Sequence, residues 1–189
     1  AQLFDDPDTW RKVLAIASES SAAGAVLRPQ IIPRSVTVMT SLDTYNVFMF
    51  RPTYQKLRDL PLAERVAEMR RPETKAAILA EEDSYDGSNG AAALTRLYTS
   101  ALPVTFALTE PINYEPSFDD SVFMKAMAAG ADPLGYMYDL LLADEGQAFY
   151  AVLRSNFVAG NIDVCREMLL DPNPVTGLSD AGAHVNLIS

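Results

Sequence analysis

The residues best suited to chemistry lie near the end of the chain, in Val175-Thr176-Gly177-Leu178-Ser179-Asp180-Ala181-Gly182-Ala183-His184. This stretch holds the only histidine of the 189 residues, and it puts a carboxylate where a short apolar run gives way to a loop. A strand that ends in Ser-Asp, followed by small residues and His, presents an acid and an imidazole from one turn, the pair that general acid–base work asks for. The plainer reading of Asp180 is a loop turn or a helix cap. Ser179 lacks the Gly-x-Ser-x-Gly elbow of a hydrolase nucleophile and is not assigned attack. Cys165 shares a predicted helix face with Ile162 and Leu169, where a small buried hydrophobe is favoured over a nucleophile or ligand. Arg28 and Gln30, on a predicted strand, are candidates either to line a pocket or to pair structurally. Glu81-Glu82-Asp83 reads as solvated surface, and the chain carries no glycine-rich phosphate loop.

The elements that must position these residues alternate between helix and strand. Asp8 can cap a helix whose Trp10, Val13, Leu14 and Ala17 follow an i, i+3, i+4, i+7 pattern and which stops at Gly24. A strand is predicted over Val26 to Ile31, irregular because of Pro29, with a second possible over Ser35 to Thr40. Tyr45 to Phe50 has no clean period and reads as a buried loop or helical turn. Three helical segments follow, each with proline at or near its first turn: Pro52 to Leu60, Pro61 to Arg70, and Pro72 to Glu81. They interrupt the alternation, which marks residues 44–101 as a helical insertion. A helix is predicted over Ala91 to Ala101, and a strand over Pro103 to Leu108. Ser117 opens a helix that runs to Gly130, and Asp132-Pro133 opens another. Ala148 to Leu153 reads as a strand buried on both faces, Asn161 caps a helix to Leu170, and Val175 to Ser179 is the last strand. Short apolar strands alternating with amphipathic helices predict an α/β fold with a parallel sheet, closed as a barrel or open, whose active residues gather at the carboxyl ends of the strands. Adjacent strands should therefore be parallel.

Composition narrows the function classes. A chain that is 49% hydrophobic and 21% charged can build a real core. With 25 acidic against 15 basic residues the net charge is −10, which argues against a nucleic-acid partner. One cysteine cannot form an internal disulfide, no apolar run is long enough to span a membrane, and the first residues lack a signal-peptide pattern, so the cytoplasm is the expected location. The chain opens without Met on an acidic loop and stops in the apolar run Val185 to Ile188, which reads as a piece of a longer protein.

The run Phe157-Val158-Ala159-Gly160-Asn161-Ile162-Asp163-Val164-Cys165-Arg166-Glu167-Met168-Leu169, then Asp171-Pro172, then Gly177 to His184, resembles the later part of the metal-dependent amidohydrolases, in the branch that contains the N-acyl-D-amino-acid deacylases. Leu27-Arg28-Pro29-Gln30 is similar to that family's mid-barrel strand, and the proline-broken helices after it are similar too. The segment 157–184 is the specific part. The resemblance implies a truncated, helix-rich part of a (β/α)8 TIM barrel over residues 1–189. It implies hydrolysis of a non-peptide C–N bond in a small amide substrate by water activated on a divalent metal, usually zinc. It also implies that Asp180, on the last barrel strand, both contacts the metal and shuttles the proton, a division of labour that fits the chemistry.

The departures from the family are as informative. Its paired early-strand histidines and mid-barrel histidines are missing, and a catalytic zinc needs about three protein ligands besides water. His184 is expected to support the loop rather than bind metal. The remaining ligands are expected upstream of Ala1, so the isolated chain should hold no tight metal, have no amidase activity, and self-associate through uncovered strand edges. The alternative is a non-catalytic acidic α/β domain that binds a partner or a small ligand.

Overall fold

The computed structural model describes residues 1–84 and 98–177. Helix α1 (Thr9–Ala22) buries Trp10, Leu14 and Ala17. Val13, in phase with them in the sequence, stays 46% exposed on its shoulder. The first turn is served by Asp6, whose Oδ1 accepts from Thr9 N at 3.2 Å, while Asp8 makes no side-chain cap bond. Strands β1 (Gln30–Ile31) and β2 (Thr37–Thr40) follow. Pro29 has no N–H to give, and the first strand is correspondingly short.

Helices α2 (Pro52–Leu57), α3 (Leu62–Met69) and α4 (Pro72–Ala80) begin beside proline, as their sequences require. Proline presets the helical φ where an N–H would have no partner. Strand β3 (Thr105–Ala107) comes next. The helix expected from Ser117 is broken: a single 3-10 turn over Phe118–Asp120 gives way at Ser121, whose Oγ accepts from Met124 N at 3.2 Å and starts α5 (Val122–Ala128). Two serines each able to cap account for the break. Helix α6 (Pro133–Leu141) is capped by Asp132, with Oδ2 accepting from Gly135 N at 2.7 Å. Strand β4 (Tyr150–Leu153), helix α7 (Asp163–Leu170) and strand β5 (Val175–Thr176) complete the order.

The fold is mixed α/β and rich in helix, and the described strands form no closed barrel. β1 and β5 pair in parallel, Gln30 beside Val175 and Ile31 beside Thr176. The other three strands form a sheet in the order β2-β4-β3, antiparallel throughout. The expectation of parallel pairing therefore holds for β1–β5 and fails for this sheet. The reason is local: strands this short, joined through long helical excursions, can be entered from either end, and hydrophobic alternation carries no direction.

The main core lies between one face of that sheet and helices α2 to α6, with Val38, Val152, Phe48, Tyr54, Met69 and Tyr138 among its buried members. Phe48 meets Tyr138 edge to face at 5.3 Å, and Tyr138 Oη donates to Met69 O at 2.8 Å. The segment 45–50 forms turns with Asn46, Val47 and Phe48 buried, as its aromatic content suggests. A second cluster joins α1, β1 and α7 through Trp10, Leu14, Ile31, Val164, Cys165 and Met168.

Candidate functional site

Ser179, Asp180 and His184 lie outside the described residues, so the geometry of the site begins at the strand that leads to them. β5 ends beside β1: Gly177 N donates to Ile31 O at 2.8 Å, and Val175 N donates to Pro29 O at 3.0 Å. The carboxyl ends of two parallel strands thus coincide, the position where α/β folds collect reactive groups. Gly177 packs closely there; a Cβ added to it would meet the Gln30 side chain at 3.4 Å.

Arg28 takes the structural option. Its Nη1 donates to Pro172 O at 3.2 Å and Asn173 O at 3.3 Å, tying β1 to the turn between α7 and β5. Cys165 is buried among Trp10, Val164 and Met168, and burial pushes its thiol pKa up, away from the thiolate a nucleophile or ligand requires. The packing reading of that residue agrees with its surroundings.

The acidic run at 81–83 is only partly a solvated surface. Glu81 accepts from Thr53 N at 2.9 Å and from the Thr53 hydroxyl, satisfying orphan donors at the start of α2. Asp83 pairs with Arg51 at 3.1 Å, both side chains about 15% exposed or less. Charge runs read from sequence default to solvent because nothing local signals a distant N-terminus that needs an acceptor.

A well-formed concavity lies elsewhere. Sheet β2-β4-β3 has two faces; Val38, Val152 and Thr105 sit in register on the core side, and Met39, Ala151 and Phe106 sit in register on the other. That second face floors a cavity of about 310 Å³. Thr37 and Leu153, also in register, extend the floor toward Arg34 and Ser35. The outer wall is the loop through Thr109, Ile112 and Tyr114, together with Ile162. The loop is internally braced: Thr109 Oγ1 donates to Pro111 O at 2.9 Å, and Glu115 Oε1 accepts from Ile162 N at 2.9 Å.

Asn156 positions the Arg34 end. It is fully buried with φ of 56°, in the left-handed region where asparagine is among the few tolerated side chains. Its Nδ2 donates to both Ile32 O and Arg34 O at 3.0 Å, and its Oδ1 accepts from Gln2 N at 2.7 Å. Sequence reasoning assigned no site role to Arg34, Ala151 or Asn156. The alternation of Thr37 and Met39 with Val38 and Thr40 held the signal for a two-faced strand, but not for what covers its second face.

Among the described residues no three His, Cys, Asp or Glu side chains converge to hold a metal ion. The donors described here do not by themselves fit the zinc that the amidohydrolase resemblance implies. Nor is any described helix long and apolar enough to cross a membrane. The chain matches no family model, no curated protein and no solved structure.

Proposed function

We propose that this chain is part of a metal-dependent amidohydrolase, similar to the N-acyl-D-amino-acid deacylases, that hydrolyses a non-peptide amide bond and draws its proton-transfer carboxylate from Asp180. The observation that carries the reading is the parallel β1–β5 pair. Its strands end together at Gly177 and Ile31, and Asp180 follows three residues later in the sequence. In this reading β1 and β5 belong to a truncated (β/α)8 barrel, and the antiparallel sheet with its helices is an accessory layer beside it. A parallel ladder of two residues per strand is too small to stand alone and calls for further strands.

The chemistry assigned to this chain is narrow. As the oxygen of water adds to the amide carbon, Asp180 takes the proton that water loses and delivers it to the nitrogen as the C–N bond breaks, leaving an amine and a carboxylic acid, which then ionises to solvent. His184 supports the loop that holds this carboxylate. Because the described donors do not fit a metal, no step is assigned to one here; zinc and its other ligands belong to the proposal for the full-length protein, whose location is proposed to be the cytoplasm. The isolated chain is proposed to be inactive and to associate with itself through β5, both of whose residues are exposed. A panel of N-acyl-amino acids, with metal analysis of the full-length protein, tests the reading. Hydrolysis with stoichiometric zinc is expected, and a metal-free protein inert toward every amide would overturn it. The second reading, a ligand-binding domain without catalysis, is favoured by the cavity over β2-β4-β3, which lies on elements apart from the β1–β5 pair.

A further inference from the structure

We propose that the cavity over β2-β4-β3 is a binding site for a small uncharged organic molecule, largely apolar and about the size of two fused rings. The assignment rests neither on Asp180 nor on amide hydrolysis. Three observations carry it. The first is size: at about 310 Å³ the cavity stands at the lower end of the range for small-molecule sites, and at about twice the roughly 150 Å³ that holds a single benzene ring. The second is the floor. Met39 and Phe106 flank Ala151 directly across the sheet, and alanine at that central position leaves a slot between two large side chains. The Phe106 side of the slot is fixed, because that residue is buried with its ring edge to face against Phe157 at 6.0 Å. A sheet face left open in a folded chain is ordinarily polar, whereas this one offers sulfur, aromatic and aliphatic surface to whatever enters.

The third is that the lining calls for no charge and few hydrogen bonds. Among the described residues no carboxylate lines the cavity, so a cation entering it would lose water and meet no counter-charge. Arg34, at one edge, is already engaged within the protein, with its Nη1 donating to Ser35 O at 3.3 Å. The neutral polar side chains of the lining are turned to the same use. Ser35 Oγ donates to Ser155 O at 2.8 Å, Thr109 Oγ1 donates to Pro111 O at 2.9 Å, and Asn113 Oδ1 accepts from Glu115 N at 3.0 Å. Tyr114 is 62% exposed, which leaves its hydroxyl to water at the mouth. A charged occupant would therefore bear its own desolvation without return, whereas an uncharged ring system gains by leaving water for this floor.

Calorimetric titration of the full-length protein with indole, indole-3-acetate and tryptamine tests the proposal; the three share one ring system and are neutral, anionic and cationic. Indole is expected to bind saturably, and the two charged relatives at least about tenfold more weakly, because each would bury a charge that the lining does not pair. Ala151→Leu, which fills the slot, should abolish indole binding while circular dichroism shows the fold intact. Should Ala151→Leu fail to fold, Ala151→Val provides the same test with a smaller intrusion and should weaken indole at least about tenfold. The binding assay is blind to amide turnover, so its outcome and that of the hydrolase reading are separate. Absence of saturable indole binding, equal affinity for either charged relative, or indole binding unchanged in a folded Ala151 variant would each overturn the assignment. So would self-association that Ala151→Leu breaks in a protein that takes up no indole, since the cavity would then belong to a second copy of the chain.

Discussion

Replacing Asn156 by alanine should be among the most damaging single changes to this fold, although the residue sits in a loop. Its side chain makes three hydrogen bonds, to Gln2 N at 2.7 Å and to Ile32 O and Arg34 O at 3.0 Å each, and it is fully buried. At about 1 kcal/mol net apiece, their loss comes to about 3 kcal/mol. Alanine must then also hold a φ of 56°, which costs a Cβ-bearing residue without asparagine's local bonding about 1 kcal/mol more. The expected total is about 4 kcal/mol, a large share of the stability of an ordinary domain. Asn156→Gly loses the same bonds without the backbone cost and should fall nearer 3 kcal/mol. Asn156→Asp keeps the shape but turns an oxygen toward two carbonyl oxygens, and should be worse than glycine. Urea unfolding followed by far-ultraviolet circular dichroism and by the fluorescence of Trp10 reads these differences, with the slope checked for constancy. A loss below about 1 kcal/mol in Asn156→Ala, at unchanged slope, would refute the claim that this side chain staples β4 to the segment carrying Arg34.

The remaining predictions follow from other buried positions. Gly146→Ala should destabilise by about 2–5 kcal/mol, since φ is 82° and a Cβ there would stand 2.6 Å from Val66 Cγ2 in the core; thermal unfolding would show it, and an unchanged midpoint would contradict the close approach. Thr40→Val should stabilise by about 1 kcal/mol, because the Thr40 hydroxyl is buried with no hydrogen-bond partner among the described residues and valine keeps its shape in β2; a loss in denaturation midpoint would mean the hydroxyl is satisfied. Burial holds the phenol of Tyr150 up to about 12 and raises those of Tyr54, Tyr98 and Tyr138 above the ordinary value near 10. Between about pH 10 and 12 the unfolded chain therefore loses protons that the folded chain keeps, so stability should fall as pH rises through this window, with phenolate absorbance from these four residues appearing only on unfolding. Smooth titration of all tyrosines near pH 10 in the folded protein would contradict their burial.

Helices were legible where the sequence carries its own punctuation. Pro52, Pro72 and Asp132-Pro133 fix helix starts because proline and a capping carboxylate act on their immediate neighbours. Strand positions were legible from runs such as Ala148 to Leu153, within which β4 falls, whereas strand direction was not, because β2-β4-β3 is decided by where long connections return the chain. The same limit explains Glu81 and Asn156. Each serves a backbone group 28 or more residues away, and no local pattern announces such a need. Ser117 was misread for a subtler reason: it caps a single turn, and Ser121, four residues on, caps the helix proper. Of the candidate site, Arg28 and Cys165 could be placed, the first held by hydrogen bonds to two backbone carbonyls and the second by packing, while the cavity required knowing which three strands lie side by side.

The amidohydrolase proposal rests on one carboxylate, and its most direct test is turnover of the full-length protein carrying Asp180→Asn. The amide is nearly isosteric but cannot accept the proton of the attacking water, so turnover on a confirmed N-acyl-amino-acid substrate should fall about 100- to 10,000-fold with the fold intact. His184→Ala in parallel should cost less and leave metal content unchanged. Near-normal turnover of Asp180→Asn, with its metal content unaltered, would show that the carboxylate is structural and would contradict the proposal.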